Sequence, residues 1–155
     1  MKIRFWSEGA KAPPVGARAR RGMEASLGRA RDARGELNVI WVSRRRLRAL
    51  GKRFRGADRF TDVISFRYEP SPFSKRDECP PFGDLYISPD QARINARRFH
   101  VPFEEECVRL CVHGALHLLG YRDYTSMERR RMWTVQEPIG RDLRPKPRSP
   151  RIFSM

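Results

Sequence analysis

Disulfides have little to build on in this chain. Its three cysteines, Cys79, Cys107 and Cys111, are odd in number and too few for a framework of bridges, which fits a reducing cytoplasm. Long apolar runs are missing as well. No stretch approaches the ~20 residues that a membrane-spanning helix needs. The opening residues, Met1 to Glu8, lack the apolar run of a secretory signal. The expectation is a cytoplasmic protein with no membrane association. Negative charge is also short: 18 Asp+Glu stand against 33 Lys+Arg, a formal net charge of +15. That imbalance points to a polyanionic partner, nucleic acid first. An anionic membrane surface would require a basic amphipathic helix, and no segment has that pattern.

What is present suffices for one domain with a real core, since the chain has 155 residues. We expect residues 1–137 to form that single catalytic domain. Residues 138–155 place Pro145, Pro147 and Pro150 among Arg141, Arg144, Lys146, Arg148 and Arg151. They read as a basic, Pro-rich, disordered tail, either in contact with nucleic acid or simply solvated.

Within the domain, hydrophobic periodicity predicts strands over 2–6, 37–42, 62–66 and 83–88. It predicts helices over 18–34, 44–52, 89–100, 102–119 and 125–137, with Ser43, Ser88 and Thr125 or Ser126 as caps. The last two strands are joined by a Pro-containing loop rather than a crossover helix, so an antiparallel pair is expected. The fold class is α+β: a small mixed sheet of about four strands covered by helices. The helix over 102–119 is apolar nearly all round in its second half, which predicts burial at the centre of the domain. Cys107 and Cys111 on it read as small core residues.

That central helix carries the chemistry. His113 and His117 stand four apart and share a face. Gly120 follows, where a left-handed turn would end the helix, and Asp123 lies three residues further on. Two imidazoles and a carboxylate converging on one point, with a fourth position open, suit a catalytic zinc ion. The frame H-x-x-x-H-x-x-G-x-x-D is metzincin-like, with Asp in the third ligand slot. Zinc proteases of this type place a glutamate base directly after the first histidine. Here that position is Gly114, so peptide hydrolysis would lack its proton acceptor.

Three segments together are specific: Phe54-Arg55-Gly56-Ala57-Asp58-Arg59-Phe60-Thr61-Asp62-Val63-Ile64-Ser65-Phe66, then Gly83-Asp84-Leu85-Tyr86-Ile87-Ser88, then His113 through Tyr121. Their combination resembles the YbeY family of bacterial endoribonucleases, over about residues 37–137. Glu128, Met132 and Gln136 fall where that family's last helix has similar residues. The resemblance implies a single zinc ion per chain and cleavage of single-stranded RNA. It also implies maturation of the 3′ end of 16S ribosomal RNA, ribosome quality control and contact with the ribosome, without specificity for DNA. The family's first two ligands map onto His113 and His117. Its third is usually the histidine of G-Y-D-H, and the slot here holds Asp123. An anionic ligand lowers the net positive charge of such a site and should acidify a bound water somewhat less.

Metal-assisted phosphodiester hydrolysis is the expected mechanism. Arg55 matches the family's R-G-x-D arginine, and its guanidinium suits a phosphoryl group that gains charge; the plainer reading is a surface ion pair with Asp58 or Asp62. Arg44, Arg45, Arg46, Arg48, Lys52 and Arg53 would track the RNA backbone or be merely solvated. Phe66, Tyr68 and Phe73 offer rings for base stacking, with core packing the plainer role for Phe66. Two rivals stand beside the ribonuclease: a non-catalytic basic ribosome-assembly factor with a structural metal and, more distantly, a metalloprotease. Attack by water and attack by the RNA 2′-OH are not separated at this level, and a monomer is expected.

Overall fold

The structure is a computed structural model that describes residues 1–75 and 78–145. Four strands and five helices follow one another as β1 (Lys2–Glu8), α1 (Gly16–Leu27), β2 (Glu36–Val42), α2 (Arg44–Arg55), β3 (Val63–Arg67), β4 (Pro81–Ile87), α3 (Pro89–Phe99), α4 (Phe103–Leu118) and α5 (Ser126–Asp142). The sheet order is β1-β2-β4-β3. β1, β2 and β4 run parallel, and β3 pairs antiparallel with β4, as the loop between them predicts. This is the expected α+β arrangement, a mixed four-stranded sheet with helices on both faces.

Strand alternation divides the sheet into two faces. Ile3, Leu37, Val39, Trp41, Val63, Leu85 and Ile87 point to one side and join α1 and α4 in the main core. Ile40, Val42 and Ile64 point to the other, where α2 covers them with Leu47 and Leu50. α4 is the buried axis: Cys107, Leu110, Cys111, Val112, Ala115 and Leu116 are fully enclosed. Burial pushes the Cys107 thiol up to about 12 and raises Cys111 as well, so neither is a reactive thiolate.

Three helices differ from the sequence expectation. α2 runs to Arg55 rather than ending at 52, and Gly56, at φ +64°, closes it. α1 stops at Leu27 rather than at 34, and turn bonds from Arg29 to Ser26 and from Ala30 to Leu27 close it. Beyond Leu27 the segment is mostly Arg and Asp, with little apolar surface to bury, and burial sustains a helix more than propensity does. Asp32 instead pairs with Arg67, whose other nitrogen donates to the Leu118 carbonyl at the end of α4. α5 continues through Pro138 to Asp142 instead of ending at 137. A proline inside a helix costs about 3 kcal/mol. Past it, Ile139 packs on Val112, Leu116 and Met132, and Leu143 reaches the main core; that burial offsets the cost. The domain boundary expected after residue 137 therefore falls inside a helix. Of the basic tail, residues 146–155 lie outside the described residues.

The three glutamates that open α4 favour its positive end, yet each also has its own cation. Glu104 pairs with Arg18 at 2.7 Å and Glu105 with Arg144 at 3.7 Å. Glu106 is buried and takes two hydrogen bonds from Arg109 and one from Asn95. No helix among the described residues is long and apolar enough to cross a membrane.

Candidate metal centre

His113 and His117 lie on the side of α4 away from its most enclosed residues, both partly exposed. α4 then closes with bonds from Gly120 to His117 and from Tyr121 to Leu116. Gly120 has φ +93°, a value that L side chains rarely adopt. This turn carries Asp123 back toward the histidines. Its Oδ2 stands 3.3 Å from Nε2 of His113 and 3.4 Å from Nε2 of His117, and the two Nε2 atoms are 2.9 Å apart.

The protonation of this trio follows from its neighbours. His117 Nδ1 lies 2.8 Å from the Tyr121 carbonyl. A carbonyl only accepts, so Nδ1 carries a hydrogen, and in the neutral ring Nε2 is the nitrogen with the lone pair. His113 Nδ1 donates in the same way to Gln136 Oε1 at 2.8 Å. Burial holds the His113 imidazole below its ordinary pKa, opposed by the Gln136 bond, so the ring is neutral at pH 7. In the neutral tautomers that these bonds select, three lone pairs face one another. A single proton can bridge one pair; a divalent cation satisfies all three. Tetrahedral zinc with bonds of ~2.1 Å needs donors about 3.4 Å apart. The two distances to Asp123 match that spacing, and the histidine pair is about half an ångström tighter. His113, His117 and Asp123, read from sequence as metal ligands, are thus brought together as one group that fits the ion.

Residues that sequence spacing alone would not have selected hold this group in place. Gln136, 4% exposed, fixes the tautomer and direction of His113. The other two resemblances on α5 are structural: Glu128 closes a capping box with Thr125, and Met132 is buried in the core against Val112 and Leu116. Ser65 of β3 donates to the Gly114 carbonyl at 3.2 Å and ties the edge strand to the ligand helix.

Gly114 explains the missing glutamate. A Cβ there would stand 3.0 Å from Leu85 Cδ2 and 3.1 Å from Val63 Cγ2. The position faces the sheet, so a carboxylate grafted onto it would be buried among aliphatic groups with no partner. Gly114→Glu is expected to destabilise the fold by more than about 3 kcal/mol, through overpacking and an unpaired charge. Urea unfolding measures this, and a stable variant that hydrolyses casein would revive the protease reading.

Arg55 is the last residue of α2 and is exposed. The ion pairs that would have made it a surface strut are taken by others: Asp58 bonds Arg48 at 2.8 Å, and Asp62 accepts from Asn95. No hydrogen bond or ion pair joins Arg55 to the trio among the described residues. The chain leads from it through residues 56–62 to Val63, which packs beside Gly114. Of the rings considered for stacking, Phe66 sits edge-on between Phe54 and Tyr86, with centroids 5.4 and 5.8 Å away. Tyr68 donates to Asp84 at 2.6 Å, and that bond, with partial burial, pushes its phenol up to about 12. Phe73 stands 90% exposed.

Fold and trio together define a small α+β protein in which the buried central helix and the turn after it bring together a His-His-Asp group that could hold one metal ion. Residues 17–144 match the family model of endoribonuclease YbeY. The chain is similar to Endoribonuclease YbeY of Acholeplasma laidlawii, 43% identical over 103 residues, which is 66% of this chain and 71% of that protein. Its counterpart in Elusimicrobium minutum is 40% identical over 111 residues, 72% of this chain and 76% of that one. A Thermotoga maritima protein of known solution structure aligns with a TM-score of 0.59 at 29% identity, covering 91% of this chain and 88% of that one. The chain belongs to the YbeY endoribonuclease family.

Proposed function

We propose that this protein is a zinc-dependent endoribonuclease specific for single-stranded RNA. We assign it to maturation of the 3′ end of 16S ribosomal RNA and to ribosome quality control, working as a cytoplasmic monomer in contact with the ribosome. The observation that carries the reading is the convergence of three lone-pair donors, His113 Nε2, His117 Nε2 and Asp123 Oδ2, in a chain of a family named for RNA cleavage. The net charge of +15 supports a polyanionic substrate.

In this reading His113, His117 and Asp123 hold the ion, one per chain. Bound there, zinc would supply acidified water and polarisation of a phosphoryl oxygen. The protein's own groups do the rest. Gln136 and the Tyr121 carbonyl keep both rings in the liganding tautomer. Arg55, which has no side-chain partner among the described residues, binds the phosphate and offsets the charge that develops on it. The exposed cations of α2 hold the RNA backbone.

Arg55→Ala is expected to leave the zinc content and melting temperature unchanged. Its rate on a single-stranded oligoribonucleotide should fall about a hundredfold, the usual size for losing one transition-state donor. An unchanged rate would remove Arg55 from the mechanism. The assembly-factor reading has less in its favour, since three protein donors come together among the described residues and a structural zinc site has four.

A further inference from the structure

Behind His113, between α4 and α5, lies a cleft of about 400 Å³ that the mechanism above does not use. This is the lower end of the range of small-molecule sites, ~300–1,000 Å³. Val108, Val112 and Leu143 supply apolar lining, and Phe99 and Trp133 also line it, 55% and 57% exposed. Gln136, the side chain that orients His113, forms part of the wall. The cleft therefore adjoins the metal centre through a shared residue.

Its charges cancel locally, although the chain as a whole is strongly basic. Arg144 lies 3.7 Å from Glu105 and 3.6 Å from Glu137, Arg109 is paired with Glu106, and Arg18 with Glu104. Phosphate would gain little here. A flat, neutral, π-faced group would gain most: apolar walls bury it, and exposed aromatic rings stack on it. Polar edges are available as well. The Nη1 of Arg109 has no partner among the described residues, since Nε and Nη2 serve Glu106. Carboxylate oxygens of Glu105 and Glu137 can accept from an exocyclic amine. Donor, acceptor and stacking surface in one cleft of this size match a nucleobase better than a protein helix, which needs a long open groove.

Building on the ribonuclease reading, we propose that this cleft binds one unstacked base of the single-stranded RNA, close to the phosphate presented to the metal centre. RNA affinity would then come from two chemistries, the backbone held by exposed arginines and one base held in the neutral cleft.

The test compares 2′-O-methyl oligoribonucleotides that carry an abasic unit at each position in turn, with binding read by fluorescence anisotropy on the zinc-loaded full chain. For the wild type, one abasic position should weaken binding about tenfold, the loss of one base–aromatic stack. Two variants should erase that discrimination. Trp133→Ala removes a ring. Gly140→Phe adds a side chain at a helical position that lines the cleft and whose Cβ would meet nothing within 4 Å. It should melt no lower than the wild type, because glycine is a poor helix former. If the wild type binds RNA but loses the same affinity at every abasic position, the base site is wrong and the ribonuclease reading stands. If it binds none of the oligonucleotides, the ribonuclease reading itself fails.

Discussion

His117→Ala is expected to lose the metal and, with it, RNA cleavage. The substitution removes one of three donors that stand 2.9 to 3.4 Å apart. The remaining histidine and Asp123 leave a two-ligand site, too few for zinc in either its structural or its catalytic form. The Tyr121 carbonyl also loses the hydrogen that His117 donates, which loosens the turn carrying Asp123. A bound ion contributes several kcal/mol of transition-state stabilisation, and each ~1.4 kcal/mol is a factor of ten. The rate should therefore fall at least about a thousandfold. Elemental analysis and a gel assay on single-stranded RNA measure both quantities. A metal-free variant that still cuts RNA at the wild-type rate would end the mechanism.

The second large effect lies away from the trio. Arg109→Ala should destabilise the fold by about 3–5 kcal/mol, the cost of stranding one partner of a buried ion pair. Glu106 is 1% exposed, and Arg109 donates to it at 2.7 and 2.5 Å. Without the guanidinium the carboxylate keeps, among the described residues, the Asn95 bond at 3.2 Å. A double change, Glu106→Leu with Arg109→Leu, should recover most of the loss, because replacing both charges by apolar groups of similar volume is often neutral or better. Urea midpoints of the three proteins measure it. A single variant as stable as the wild type would show that the carboxylate relaxes to solvent when unpaired.

Much of this molecule is legible in its sequence, for physical reasons that differ by element. The ligand helix is legible because two local rules coincide there: histidines four apart share a face, and Gly120 takes the positive φ that turns the chain toward Asp123. Strand β2 reads directly from a buried β-branched run, and Ser43 caps α2 by accepting from the Arg46 amide, as its type suggests. Helix ends governed by tertiary burial do not read as well. The alanines and arginines of residues 28–34 are good helix formers, so propensity carries the helical pattern past the point where α1 runs out of apolar surface, and Pro138 signals a stop that Ile139 and Leu143 override. The supporting contacts of the metal centre are equally non-local. Gln136 is 23 residues from His113, and only the fold brings them together. Glu106 looks like one more carboxylate at a helix N-terminus until its burial against Arg109 is seen.

The central claim is that His113, His117 and Asp123 hold a metal ion. The most direct test is the metal content of the purified, zinc-repleted protein beside that of its Asp123→Ala variant. We predict about one zinc per chain in the former and almost none in the latter, with Asp123→His restoring the ion because imidazole fills the same role. No zinc in the wild type after repletion, or the same zinc content in Asp123→Ala, would contradict the account and leave the two histidines as a proton-sharing pair at the end of a buried helix.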